Sequence, residues 1–228
     1  MATEANDKTM KMQRLSLCAA GVNVEKVRLL DEYLVNGATL DVGCGNGLYG
    51  LHILSRGGSI LQVDITDRRD SRALALPFCA MDAQCLDLPD DSYDNVVAFD
   101  VMEHLDDDVL FLQDIRKICR KRLLLSVPNG EDEQLAKIAL THMHHKDKTH
   151  RREYTKDSLL VALSRADFHP LMIKPHYNRC LPRFARALST EGTIPKMAAN
   201  FISLQCYLFE RLGWFENRCI ADWFCVAE

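Results

Sequence analysis

The 228-residue sequence contains no Cys-x-x-Cys pair, although it has nine cysteines, at positions 18, 44, 79, 85, 119, 180, 206, 219 and 225. An odd count at irregular spacing argues against a zinc ribbon or a disulfide framework, and predicts reduced thiols in a cytoplasmic protein. No run of 18 apolar residues occurs, so no membrane-spanning helix is predicted. Residues 1–14 are polar, lack the apolar core of a signal peptide, and are predicted to be flexible. A basic block is also missing: the formal net charge is -4, which argues against a dominant nucleic-acid surface. No lysine falls between Lys26 and Lys117. A glycine-rich loop in that stretch therefore lacks the Gly-Lys-Ser/Thr ending of a phosphate loop.

What is present is an ordinary globular composition, 47% hydrophobic and 26% charged, and one conspicuous turn. Thr39-Leu40-Asp41-Val42-Gly43-Cys44-Gly45-Asn46-Gly47 is an apolar lead-in that ends in a carboxylate, followed by three glycines at every second position. Such a pattern predicts a strand, a tight turn and a helix opening after it. The dinucleotide fingerprint wants its third glycine three places after the second, where Leu48 stands. Upstream, Val24, Val27, Leu30, Leu34 and Val35 recur at helical spacing, with Asn36-Gly37 predicted as the stop. Downstream, a helix over Leu48–Leu54 is followed by strands at 59–64, 77–82, 95–99 and 123–127. A helical, arginine-bearing stretch is expected after the second strand, and helices at 106–118 (Asp106-Asp107-Asp108 in its first turn), 131–143 and 155–163. Leu171-Met172-Ile173 reads as a sixth strand, 179–213 as inserted helices, and 219–226 as the last strand.

The strands are apolar throughout and alternate with helices. They predict a doubly wound α/β fold, a mostly parallel seven-stranded sheet with helices on both faces and a helical insertion before the last strand. One domain over 15–228 is expected, with 131–155 as an acceptor-side loop. In such sheets ligands sit at the carboxyl ends of the strands. Asp41, Asp64 and Asp82 end three successive strands, and Asp100 follows the fourth. Acids there suit a ligand with hydroxyls, an exocyclic amine and positive charge, rather than a phosphate.

Asp41-x-Gly43-x-Gly45-x-Gly47 resembles the first motif of the class I S-adenosylmethionine (SAM) dependent methyltransferases. Val63-Asp64, Met81-Asp82-Ala83, Asp91-Ser92-Tyr93-Asp94-Asn95-Val96-Val97 and Val101-Met102-Glu103-His104-Leu105 are similar to later motifs of that family, in the same order. Ser126-Val127-Pro128-Asn129 followed by His150 and Tyr154-Thr155 is similar to a branch with ubiquinone-type and sugar O-methyltransferases. The resemblance covers roughly residues 25–170. It implies SAM as cofactor, with Asp41, Gly43, Cys44, Gly45, Gly47, Asp64, Ile65, Asp82, Ala83 and Asp100 on the donor side. Asp64 would meet the ribose diol and Asp82 the adenine region. Ile65-Thr66 stand where the family usually has an aromatic.

Methyl transfer to a hydroxyl needs a base, and a histidine titrating near neutrality suits it. His104 follows strand four, while His142, His144, His145 and His150 lie after strand five. His150 is preferred, with His104 and His145 as alternatives. The group His144-His145-x-Asp147-x-x-His150 has metal-ligand types, but a solvated polar lid is preferred and no metal is assigned. The 179–213 insertion offers Arg179, Arg183 and Arg186 beside Phe184, Phe201, Tyr207 and Leu208. It is read as choosing the acceptor, packing on the domain or resting on a membrane surface. The acceptor is predicted to be a small polar or glycan-like molecule methylated on oxygen. A lipid-linked or macromolecular acceptor, or a non-catalytic SAM-binding partner subunit, are the alternatives. A NAD-dependent dehydrogenase conflicts with the glycine spacing.

Overall fold

The computed structural model describes residues 22–131, 147–190, 192–213 and 218–228. Helix α1 (Val24–Tyr33) leads to β1 (Ala38–Val42), α2 (Leu48–Ser55), β2 (Ser59–Asp64), β3 (Phe78–Ala80) and β4 (Tyr93–Phe99). A single 3-10 turn (Met102–His104), α3 (Asp108–Ile118) and β5 (Cys119–Pro128) follow. Then come α4 (Lys156–Arg165), β6 (Pro170–Arg179), α5 (Cys180–Thr190), α6 (Lys196–Arg211) and β7 (Arg218–Ala227). The seven strands lie in the order β3-β2-β1-β4-β5-β7-β6. All pairs are parallel except those of β7, which runs against both β5 and β6.

Alternate residues of one strand enter different cores, which is why the strands read as unbroken apolar runs. Val96, Ala98, Leu123 and Leu125 pack on Phe111, Leu112 and Ile115 of α3 and Leu159 and Leu163 of α4. Val97, Phe99 and Leu124 pack instead on Leu29 and Leu30 of α1 and Ile53 of α2. Helix starts are set locally. Asn23 accepts from Glu25 N at 2.9 Å, Asp107 from Leu110 N at 2.9 Å, and Thr155 forms a reciprocal capping box with Ser158.

Three expectations are corrected. No helix follows β2: Arg69 donates its guanidinium to the carbonyls of Ala73 and Leu76 at 3.2 and 2.8 Å, filling acceptors that a helix ladder would use. Helix α1 stops at Tyr33 rather than at the Asn36-Gly37 cap, because Asn95 takes both the N–H and the carbonyl of Val35, at 3.0 and 2.9 Å. Gly37 lies against Asp94 instead, where a Cβ would come within 2.0 Å of a carboxylate oxygen. Strand β6 runs on for ten residues to Arg179, so the helical insertion begins at Cys180. The helix expected over 131–143 falls almost wholly outside the described residues, and so do His142, His144 and His145.

Candidate active site

The turn after β1 folds over the end of β2: Cys44 N donates to Val63 O at 3.1 Å and Gly45 N to Asp64 Oδ2 at 2.9 Å. Gly43, at φ +64, is demanded by a neighbour, since a Cβ would meet Val101 Cγ2 at 2.5 Å. Gly45, at φ +54, is different: its missing Cβ faces space with no atom within 4 Å. The turn is therefore a cradle open on one side. Behind it, Gln62 donates to Asp41 Oδ2 and to Gly47 O, both at 3.0 Å. Asp41 is 3% exposed. Burial pushes its pKa up to about 7, against the Gln62 hydrogen bond and helped by the charge of Asp64. Asp41 thus orders the turn from within. Burial and then the Asp41 charge push the Cys44 thiol up to about 12, so it stays protonated.

Asp64 sits at the open side. Its Oδ1 has only a 3.5 Å contact from Thr66 N and a distant Arg68, which leaves capacity for a hydroxyl pair. Beside it Ile65 is 69% exposed, an uncovered apolar surface. Asp82 is exposed, and its carboxylate caps a turn by accepting from Gln84 N at 2.9 Å. Ala83 is half-buried against the core. Asp100 follows β4 at φ +57, a left-handed position that Asp tolerates. It accepts from Ser126 Oγ at 2.7 Å and pairs with Lys26 of α1, which is buried over the Phe99 ring. A cradle, a diol acceptor and an adjacent cation–anion pair fit the three parts of SAM: thioether arm, ribose and amino-acid zwitterion.

On the other side of Asp100 lies the histidine group. Arg151 N donates to Glu103 O at 2.8 Å, and Arg151 and Arg152 pair with Asp106 and Asp108. Tyr154 OH donates to Asp108 at 2.9 Å. These bonds clamp segment 147–154 onto the 3-10 turn and bring His150 edge-to-face with His104, ring centroids 4.7 Å apart. Thr149 Oγ1 lies 3.0 Å from His104 Nδ1. Burial, and secondly the charge of His104, hold His150 below the usual imidazole range, while Asp147 and Asp100 oppose this. Glu103 is 1% exposed, with one carboxyl oxygen buried and unbonded. Burial, reinforced by Asp100, pushes it up to about 8. The ligand atoms of Glu103, His104 and His150 lie within 4.8 Å of one another, the set among the described residues that could share a cation.

A family model described as a methyltransferase domain matches residues 19–172. The chain belongs to the class I SAM-dependent methyltransferases. Solved structures share this methyltransferase's fold at low identity. A putative methyltransferase from Bacillus halodurans is 15% identical, with a TM-score of 0.61 over 89% of this chain and 96% of that one. A SAM-dependent methyltransferase from Archaeoglobus fulgidus is 19% identical, with a TM-score of 0.61 over 88% of this chain and 89% of that one. The [4+2]-cyclase SpnF is 18% identical, with a TM-score of 0.60 over 89% of this chain and 79% of that one. No curated protein matches the chain. The methyl donor of this methyltransferase is SAM.

Two residues of the methyltransferase's crevice were not foreseen, Lys26 and Gln62, and Ser126 entered only through the Ser126-Val127-Pro128-Asn129 resemblance. Gln62 carries a signal, as a polar residue inside the apolar strand Ile60-Leu61-Gln62-Val63. Lys26 hides on a helix whose neighbours Val27, Leu29 and Leu30 are buried, where a lysine reads as a solvated break in the face.

Proposed function

We propose that this methyltransferase moves the methyl group to an oxygen of a small polar or glycan-like acceptor, with His150 as the base. The observation that carries this is a histidine at the edge of the crevice, edge-to-face with His104 and held below the usual imidazole range chiefly by burial. SAM supplies, when bound, a sulfonium methyl whose leaving group is a neutral thioether. The chain's own work is alignment and proton removal. Asp64 receives the ribose hydroxyls, the Gly45 cradle admits the donor, and Lys26 and Asp100 separate to meet its carboxylate and ammonium. His150 takes the acceptor's hydroxyl proton, and neutral Glu103 beneath it limits the negative charge that would otherwise hold the imidazole protonated. Replacing His150 with Ala is expected to leave SAM affinity in calorimetry unchanged and cut turnover about 100-fold or more. Unchanged turnover on the true acceptor, found by mass spectrometry of a library with labelled SAM, would reject His150. The same handling needs no metal. Turnover is expected to survive dialysis against a chelator, and restoration by an added divalent ion would convert Glu103, His104 and His150 into ligands.

A second reading, an acceptor held in a lipid surface, is favoured by one observation. Met197, Phe201, Leu204 and Leu208 form one exposed stripe along α6, continued by Leu212 and bracketed by Lys196 and Arg211. An apolar stripe with flanking cations matches an anionic membrane surface.

A further inference from the structure

A cleft of about 590 Å³ opens between β6, β7 and α5, with Glu25 of α1 at its rim. Lys174, His176, Tyr177, Arg186 and Phe224 line it. Strand register puts Lys174 opposite Phe224 and His176 opposite Asp222, so these four share one face of the sheet. The His176 ring lies flat on Phe224, centroids 4.9 Å apart and 9° from parallel. Asp222 Oδ2 is 2.7 Å from His176 Nδ1. A carboxylate can only accept there, so Nδ1 carries the proton; in the neutral ring Nε2 is then an acceptor. Glu25 is held by Arg28, and Arg218 by Glu210. Lys174 and Arg186 have no carboxylate partner among the described residues.

The cleft thus offers two uncompensated cations, a stacked ring pair and apolar walls of Pro175 and Pro182, in a chain of net charge -4. It adjoins the crevice: Glu25 precedes Lys26, which pairs with Asp100, and after burial, the main cause, the Asp222 charge adds to the upward shifts of Glu103 and Tyr49. We propose that this cleft holds an oxyanion of the acceptor, so that the acceptor carries a carboxylate or phosphate on a planar or apolar body. Lys174 and Arg186 take the anion, the His176–Phe224 stack takes the body, and His176 Nε2 accepts from a neighbouring hydroxyl. Naming the anion's carrier as the acceptor rests on the O-methyl transfer proposed above. The anion site itself does not.

The test uses the full chain and phenyl phosphate, with SAM affinity measured alongside. Wild-type protein is expected to bind phenyl phosphate, and the double variant Lys174→Gln/Arg186→Gln to bind it at least tenfold more weakly, with SAM affinity and melting temperature unchanged. Phosphatidylglycerol and phosphatidylcholine vesicles form the second arm. Binding to the anionic vesicles that depends on the two cations makes the source a lipid headgroup, and binding of phenyl phosphate alone makes it a soluble acceptor. If neither probe binds in a manner that depends on Lys174 and Arg186 while SAM still binds, the anion site is overturned. Failure to bind SAM overturns the methyltransferase mechanism instead.

Discussion

Glu103 carries the clearest pH consequence of any single residue. Its pKa in the fold, about 8, lies above the ordinary 4.5. The fold favours the protonated form. The stability it contributes is complete below pH 4.5 and is lost as pH rises through about 8. Asp41, raised from 3.8 to about 7, acts with the same sign over a lower window. Glu103→Gln is expected to flatten the fall in stability between pH 5 and pH 8, by an amount on the order of a few kcal/mol. Thermal melts at several pH values check this, and parallel curves for variant and wild type would sink it. The two glycines separate in the same way. A left-handed φ costs an L-residue about 1–2 kcal/mol at either site. Gly43→Ala also drives a methyl into Val101, whereas Gly45→Ala drives one into the open cradle. Melting temperature should fall further for Gly43→Ala, and SAM affinity further for Gly45→Ala. Equal losses in both measurements would refute the distinction. At this scale the placing of the glycines, Asp64 and Asp100 at strand ends was legible, because a strand end and its first turn are local. Lys26 and Gln62 were not, because their partners lie 74 and 21 residues away.

Among the elements, the ones read best from sequence were those whose ends are capped within three residues, such as α3 behind Asp107 and α4 behind Thr155. The stretch after β2 misled because its arginines have helical propensity. Tertiary demand from the Ala73 and Leu76 carbonyls overrode it. The length of β6 was hidden because Lys174 to Arg179 is polar, and its order comes from pairing with β7. Asp94 shows how an element can be fixed at the end remote from the chemistry. It accepts from Ala38 N and pairs with Arg120 and Lys121, tying the starts of β1, β4 and β5 together. For α6, the exposed stripe makes a prediction of its own. Leu204→Ser with Leu208→Ser should change stability by no more than about 0.5 kcal/mol, since both side chains already face water. The same pair should abolish co-sedimentation with anionic vesicles if the helix rests on lipid. Retained sedimentation would leave the stripe without that role.

For the whole molecule, the sheet divides the labour. Strands β1 to β4 carry the glycine turn, Asp64 and Asp100 proposed for the donor, and β6 and β7 carry Asp222, His176 and the cleft proposed for an anion. That division was visible in the sequence only as two densities of motif: closely spaced glycines and acids before residue 105, and scattered histidines and arginines after it. The second half is sparse because a cleft lined by elements far apart in sequence leaves no spacing to read.

Strand β7 lies between β5 and β6, yet it comes last of the seven strands in sequence. Asn129, at the end of β5, is held by Ala221 O, Ile220 O and the Trp223 indole, all of β7. On the ribosome, then, β1 to β4 are all made while the β5–β6 side of the sheet still waits for residues 218–227. A nascent chain released before residue 218 should hold the methyl donor weakly but present nowhere to deliver it. Transfer is therefore expected only once β7 is in place between its two neighbours. A ribosome-stalled series probed for SAM crosslinking and for turnover would test this, with turnover appearing only after β7 has emerged.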